Sequence, residues 1–141
     1  MTAFLLKIIT PDGVQFEGQA QELIVRTTSG DTGIMAGHTN YVAPLGMGQA
    51  TIITDDKARY AACIGGMVSV VNGTVTLLPT TFEWADQIDL ERAKASEEKA
   101  NRVLSDKASS SADILLAQAR LKRALVRKSV AFQIQSKTNG K

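Results

Sequence analysis

The chain has 141 residues, 44% of them hydrophobic and 21% charged, which is an ordinary globular composition and excludes a chain that is disordered throughout. A single cysteine and a single histidine exclude an intramolecular disulfide and the usual Cys/His zinc sites. The net charge of +2 argues against an obligate nucleic-acid binder, and no apolar run approaches the ~18 residues that span a bilayer, so we expect no direct membrane insertion.

Short runs of β-branched residues dominate the first half of the chain. They lie at residues 6–10, 23–27, 50–54, 67–71 and 74–78. Turn signals separate these runs, among them Gly65-Gly66 and Asn72-Gly73. The second is the strongest, because both central positions of a type I′ hairpin need a positive φ. Many short strands at this spacing predict an all-β sandwich or barrel over residues 1–85.

From Asp89 onward the hydrophobic period changes from two residues to about three and a half, which is typical of α-helices. One apolar stripe comprises Leu90, Ala93, Ala100 and Leu104, and a second comprises Ile114, Ala117, Leu121, Ala124, Leu125 and Phe132. Small polar residues at 105–113 end the first helix, and Ser110 or Ser111 is expected to cap the second. The pattern predicts an antiparallel α-helical hairpin over residues 86–141, held weakly because alanine buries little surface.

The two predicted domains differ in charge. Residues 1–85 carry four basic and seven acidic side chains, whereas residues 86–141 carry twelve basic and seven acidic ones. Arg120, Arg123 and Arg127 fall within one narrow sector of the second helix at about 100° per residue. Scattered surface cations usually face solvent, but three aligned arginines also suit an acidic protein surface, a phosphate-bearing ligand or nucleic acid. The residues alone leave these alternatives open.

The sequence contains no set of residues in a pattern typical of a catalytic site. His38 is the only imidazole and has no serine or cysteine nucleophile marked beside it, while Cys63 lies in an apolar run and is expected to be a buried, inert thiol. The acids at 55–56 are typical of a solvated turn. The glycines at 46–48 are too close for a phosphate fingerprint, and the sequence contains no Walker loop.

Five segments carry motifs that occur together in one family. They are the acid-containing Gly-Ile-Met-Ala-Gly-His loop at 29–38, Gly-Gly-Met-Val-Ser-Val at 65–70, Val-Thr-Leu-Leu at 75–78, Ile-Asp-Leu-Glu-Arg-Ala at 88–93 and Leu-Lys-Arg-Ala at 121–124. In this order they resemble the epsilon subunit of bacterial and chloroplast F-type ATP synthases, over nearly the whole chain. The departures from the family pattern include Ala36, Ile64 and Ser69, where proline, serine and glutamate are usual.

The resemblance implies a non-catalytic central-stalk, or rotor, subunit that helps to couple ion flow to ATP synthesis. Its β-domain is expected to bind the gamma subunit and the loops of the membrane ring, with Asp31 and His38 as candidate interface residues. Its hairpin is expected to move, to reach the catalytic alpha and beta subunits, and to inhibit ATP hydrolysis. The implied location is peripheral, on the cytoplasmic face of the bacterial plasma membrane.

The resemblance also implies ATP as a regulatory ligand, with no required cofactor and no metal. The candidate ATP-binding residues are Glu83, Asp89, Arg92, Arg123 and Arg127. Lys99 stands where ATP-binding relatives have another arginine, and a lysine keeps the charge but loses the bidentate fork. Asp89 also suits a second role, because an acid at the start of a helix is stabilised by the helix dipole.

The alternative interpretation is a β-sandwich binding module whose basic helical appendage grips nucleic acid or an acidic protein. An acidic β-half and only 5% aromatic residues argue against nucleic acid as a partner. An independent enzyme is disfavoured because no catalytic group of residues is present.

Overall fold

The computed structural model describes residues 2–139, with side chains described for residues 2–133. The chain divides into two compact units, Met1–Trp84 and Ala85–Lys141, so the division falls one residue before the boundary expected from the sequence. The first unit, the β unit, is strand-rich, and the second, the hairpin unit, contains two long α-helices. This confirms the predicted fold class, a β-sandwich followed by an antiparallel helical hairpin.

The β unit is one sheet of eight strands within the described residues. The strands are β1 (Phe4–Thr10), β2 (Gly13–Ala20), β3 (Glu22–Thr27), β4 (Gly30–Met35), β5 (Tyr41–Pro44), β6 (Met47–Thr54), β7 (Lys57–Val71) and β8 (Thr74–Trp84). Their order in the sheet is β2-β1-β8-β7-β6-β3-β4, and β5 pairs with β7 beside this path. The β1–β8 pair is parallel and the other pairs are antiparallel.

The core of the β unit gathers side chains from strands at both ends of that order. Leu6 of β1, Leu23 of β3, Ile34 of β4 and Leu77 of β8 are fully buried in one cluster. Residues that alternate with them along each strand are more exposed, as the period of two requires. The sheet therefore folds over on itself and encloses a single apolar interior.

The long strand β7 corrects one expectation. Residues 65–66 were expected to form a turn, but both glycines lie inside β7, where they have positive φ values of 69° and 96°. Strand β7 pairs with β6 before this point and with β5 after it. A Cβ on Gly66 would overlap the backbone carbonyl oxygen of Leu78, so only glycine fits here. The true turn follows at Asn72-Gly73, as predicted, with φ values of 50° and 83°.

The hairpin unit begins with a 3-10 helix, Ala85–Gln87, and continues with α1 (Leu90–Ser105) and α2 (Ser111–Asn139). Asp89 is the N-cap of α1, since its Oδ1 accepts the backbone N–H of Arg92 at 3.0 Å. Ser110 caps α2. Its Oγ accepts the N–H of Asp113 at 3.1 Å, and Asp113 Oδ2 accepts the N–H of Ser110 at 3.4 Å. This reciprocal pair is a capping box.

Small side chains fill the buried positions of the two helices. These positions are Ala93 and Ala100 on α1, and Ala117, Ala124, Val130 and Ala131 on α2. Lys128 Nζ donates to Glu97 Oε2 at 2.7 Å and ties α2 to α1. The expected apolar stripe of α2 is only partly buried, because Leu125 and Phe132 stay 45% and 51% exposed. No helix within residues 2–139 is long and apolar enough to cross a membrane.

Candidate functional site

A groove of about 510 Å³ runs between α1 and α2 within the hairpin unit. Four cationic side chains line it, Lys99 from α1 and Arg120, Arg123 and Arg127 from α2. The three arginines follow one another at spacings of three and four residues, which places them on one face of the helix. We call this feature the cationic groove.

The charge of the cationic groove is poorly balanced. Among the described residues, Lys99, Arg120 and Arg123 make no ion pair. Asp113 supplies a carboxylate to the lining, and one of its oxygens already caps α2. Like charges gathered on one surface repel each other, and an anion that binds several of them relieves this repulsion. The groove therefore suits a ligand with several negative charges.

Two members of the candidate ATP-binding set, Arg123 and Arg127, line the cationic groove. Lys99 and Arg120 line it with them, although neither belongs to that set. The narrow arginine sector seen in the sequence was the signal that could have added Arg120 to the set.

Two further candidates, Arg92 and Asp89, belong to the start of α1. Arg92 and Asp89 are not among the residues that line the groove, and the Asp89 carboxylate is engaged as the N-cap of α1. Glu83 lies in strand β8 of the β unit, opposite Ala62 of β7. Asp89 therefore fills the capping role that its position in the sequence also suggested.

The two candidate interface residues lie at opposite ends of β4. Asp31 is the second residue of β4 and lies opposite Arg26 of β3, whose Nε and Nη2 donate to its two oxygens at 2.7 and 3.3 Å. The hydrogen bond from Arg26 lowers the pKa of the Asp31 carboxyl, and the same bond raises the pKa of Arg26. Asp31 was expected in a loop but is in fact a cross-strand partner in an exposed ion pair.

His38 follows the end of β4, in a turn where Gly37 has a φ of 84°. Its Nδ1 lies 2.7 Å from the backbone carbonyl oxygen of Thr39, and its ring meets the ring of Tyr41 edge-on at 5.6 Å between centroids. These contacts hold the imidazole in place at a partly exposed site. Within the described residues, these are the side-chain contacts of His38.

Other residues considered for chemistry have structural roles. Cys63 is buried in the core, and desolvation raises the pKa of its thiol to about 12, which keeps it protonated and inert. Asp55 and Asp56 form the exposed β6–β7 turn with positive φ values of 49° and 61°. Within the part of the chain whose side chains are described, no group of three or more potential metal ligands occurs.

An apolar face on the outside of β5, β7 and β8 was not predicted from the sequence. Val42, Met67 and Leu78 are 60%, 47% and 47% exposed, and Met67 pairs directly with Leu78. The other residues of this uncharged face are Pro44, Ser69, Val71, Thr74 and Thr76. Period-two alternation could not reveal it, because both faces of β7 carry apolar residues.

The fold is a β-sandwich followed by a helical hairpin that carries the cationic groove. Known protein families match the β-sandwich and the helical part. Residues 3–85 match the family "ATP synthase, Delta/Epsilon chain, beta-sandwich domain", and residues 86–131 match its "long alpha-helix domain". The ATP synthase epsilon chain of Ruminococcus albus is 41% identical over 132 residues, which cover 93% of this chain and 98% of that protein. The epsilon chain of Shouchella clausii is 38% identical over 131 residues, 93% and 96% of the two chains. This chain belongs to the ATP synthase epsilon chain family.

Two solved structures share the fold. A chain of the Euglena gracilis mitochondrial ATP synthase superposes with a TM-score of 0.81 and 19% identity, over 92% of this chain and 81% of that one. A chain of the Tetrahymena thermophila mitochondrial ATP synthase central stalk and c-ring gives a TM-score of 0.60 and 13% identity, over 90% and 95%. At such identities the likeness concerns the fold alone.

Proposed function

We propose that the two units perform separate tasks in the rotor of a bacterial F-type ATP synthase. The β unit attaches the chain to the gamma subunit and to the polar loops of the membrane ring. The hairpin unit inhibits ATP hydrolysis by moving toward the catalytic alpha and beta subunits. The chain itself is non-catalytic and lies on the cytoplasmic face of the plasma membrane as a peripheral subunit.

Surface chemistry supports an attachment role for the β unit. The uncharged face around Val42, Met67 and Leu78 has the character of an interface core, where charged residues are depleted. We assign it to the contact with gamma. Asp31, paired with Arg26, and His38 offer polar groups at the two ends of β4, which suit the polar loops of the ring.

The interior of the hairpin unit supports mobility. Its helices meet through alanines, so a change of position gives up little buried area. Two arrangements that are close in free energy are what a switch requires. Leu125 and Phe132 remain half-exposed and are available to a second surface, such as gamma, in the other arrangement.

The observation that carries the regulatory proposal is the cationic groove, which has no ion pair to Lys99, Arg120 or Arg123 in the described residues. ATP supplies several negative charges, and binding it between α1 and α2 stabilises the arrangement in which the groove exists. ATP is thus a regulatory ligand and not a required cofactor. A nucleic-acid partner is not proposed, because the described residues that line the groove include no aromatic side chain.

Reconstitution of the synthase with a chain that ends at Gln87 tests the division of tasks. We expect normal assembly and faster ATP hydrolysis than with the full chain. The truncated chain is first shown to melt cooperatively, since the β unit has its own core. Unchanged hydrolysis in an assembled complex would overturn the inhibitory role of the hairpin, and failed assembly of the folded truncated chain would overturn the assignment of attachment to the β unit.

A further inference from the structure

The ion pair between Arg26 and Asp31 rests on two glycines of the β unit. A Cβ built on Gly48 of β6 would lie 2.7 Å from Arg26 Cβ and 3.1 Å from Arg26 Cγ, so the arginine stem lies against the bare Gly48 backbone. A Cβ on Gly46 would lie 3.3 Å from Arg26 Cγ, and the Gly46 N–H donates to the Arg26 carbonyl oxygen at 2.9 Å. Glycine in a strand often marks such a close approach. The two glycines therefore fix where Arg26 lies.

Arg26 uses one side of its guanidinium for Asp31. Nε and Nη2 donate to the two carboxylate oxygens at 2.7 and 3.3 Å. A guanidinium carries five N–H donors in a planar fork, so three of them stay available, two on Nη1 and one on Nη2. No described residue accepts from these three, and the Arg26 side chain is 49% exposed. Arg26 thus has donors to offer, whereas both Asp31 oxygens already accept a bond.

We propose that Arg26, and not Asp31, contacts the membrane ring at this end of β4. The free edge of its guanidinium donates to backbone carbonyl oxygens of a polar ring loop. Asp31 is a positioning residue that holds the guanidinium in place. This inference rests on the proposed contact between the β unit and the ring, and it names the donor and the kind of acceptor.

The charge of the pair selects a neutral acceptor. Asp31 balances the charge of Arg26, so the pair as a whole carries no net charge. A carboxylate on the ring would be attracted by Arg26 but repelled by Asp31. A backbone carbonyl oxygen avoids that repulsion and still forms a charge-assisted bond with the guanidinium. Because Asp31 and the two glycines already order the arginine, the contact costs little further loss of rotamer freedom.

The first test measures, by sedimentation, the affinity of the full chain for two complexes that lack this subunit. One is the complex of alpha, beta and gamma, and the other is the same complex joined to the membrane ring. Arg26→Met should weaken binding to the complex with the ring by at least about tenfold, since charge-assisted bonds are lost. Binding to the complex without the ring should not change, because we assign gamma to the uncharged face around Met67. Arg26→Lys should restore only part of the loss, because an ammonium has no planar fork.

The second test asks which member of the pair makes the contact. Asp31→Asn alone should weaken the ring-dependent binding by about threefold, because Arg26 stays but is no longer held. In the Arg26→Met background the same substitution should have no further effect. A direct contact from Asp31 would instead cost the same in both backgrounds. This comparison separates a positioning residue from a contact residue.

The third test moves Arg26 without replacing it. Gly48→Ala places a Cβ against the arginine stem and should reproduce the ring-dependent loss of Arg26→Met. Gly18→Ala in β2 is the matched control, because its Cβ would meet the Phe16 ring at 3.7 Å, an ordinary contact, and it should change neither affinity. Cooperative melting shows that each variant folds. If Gly48→Ala does not fold, the substitutions of Arg26 and Asp31 still decide the matter.

Salt identifies the acceptor. The gain in affinity that the ring supplies should change little as salt is raised, since neither the neutral pair nor a carbonyl oxygen carries a net charge. A gain that falls steeply with salt would indicate a carboxylate and overturn the carbonyl assignment.

The outcomes separate the inference from the proposal beneath it. If the unmodified chain binds no more tightly when the ring is present, the proposed ring contact is wrong and the inference fails with it. If the ring adds affinity but Asp31→Asn costs the same with and without Arg26, the ring contact stands and Asp31 makes it. Equal weakening of both complexes by Arg26→Met would show that Arg26 serves the fold or gamma, and would overturn the inference. Loss of the ring-dependent affinity alone, with no further effect of Asp31→Asn, supports it.

Discussion

The β unit and the hairpin unit bury very different side chains. The β unit buries large ones completely, among them Leu6, Ile8, Leu23, Ile52 and Leu77. Each such side chain contributes about 1.5–3 kcal/mol on burial. The hairpin buries mainly alanines, whose single methyl group is worth about 0.8 kcal/mol. One chain thus combines a rigid unit suited to permanent attachment with a weakly held unit suited to rearrangement.

The largest effect we expect is a loss of stability of the β unit. Gly66→Ala places a Cβ against the Leu78 carbonyl oxygen at a φ of 96°, so strand β7 or β8 must shift. We expect a loss of more than about 3 kcal/mol in the free energy of unfolding by urea. Gly73→Ala is the matched control, because Gly73 also has a positive φ but nothing lies within 4 Å of the added Cβ. Equal losses in the two variants would show that the overlap with Leu78 is not the cause.

The second prediction concerns the packing between α1 and α2 in the hairpin unit. Ala100 is a buried position of α1 with 2% of its surface exposed. A leucine at this position overpacks the contact with α2. Ala100→Leu should destabilise the hairpin by about 1–3 kcal/mol, seen as faster hydrogen exchange in α1 and α2 with unchanged exchange in the β unit. Ala95→Leu, at an exposed position of α1, is the control. If Ala100→Leu slows exchange instead, the contact between α1 and α2 has room for larger side chains, and its alanines are not limited by space.

Local sequence rules predicted the features that depend on neighbours along the chain. The Asn72-Gly73 turn needs positive φ at two adjacent residues, and the Ser110 cap needs an oxygen and an N–H three residues apart. Residues 65–66 misled the same rules, because two glycines with positive φ serve there to bend a continuous strand. Strand β4 was missed because its glycines and exposed polar residues resemble a loop.

The candidate site was harder to predict because it depends on how two helices align. The sector of Arg120, Arg123 and Arg127 follows from positions on one helix and is found in the structure. Which α1 residue faces that sector depends on the register between α1 and α2, which the turn at 106–110 sets. That register places Lys99 in the groove lining and leaves Arg92 out of it. No spacing within a single helix contains this information.

The third prediction concerns the side-chain hydrogen bond between Lys128 of α2 and Glu97 of α1. Lys128 Nζ donates to Glu97 Oε2 at 2.7 Å, and both side chains are about three-quarters buried. Lys128→Met keeps the length and helix propensity of the side chain but leaves the Glu97 carboxylate unpaired, which should cost the hairpin about 1–2 kcal/mol. Lys122→Met, at an exposed position of α2, should cost less than about 0.5 kcal/mol. Hydrogen exchange of α1 and α2 measures both variants, and equal effects would mean that the bond contributes nothing.

The smallest effect we expect concerns the exposed ion pair between Arg26 and Asp31 in the β unit. Arg26 lowers the pKa of Asp31 below that of the carboxyl in the unfolded chain, so the ion pair stabilises the folded state above the unfolded pKa. As the pH falls through the lowered pKa, Asp31 is protonated and the stabilisation is lost. Asp31→Asn should therefore melt slightly below the unmodified protein at pH 7, with the difference shrinking as the pH is lowered through the acid range. Solvent and salt screen an exposed pair, so raising the salt at pH 7 should shrink the difference too. Melting temperatures across pH, with Asp12→Asn as an exposed control, measure it. A difference that does not shrink through the acid range would show that Asp31 acts through packing and not through its charge.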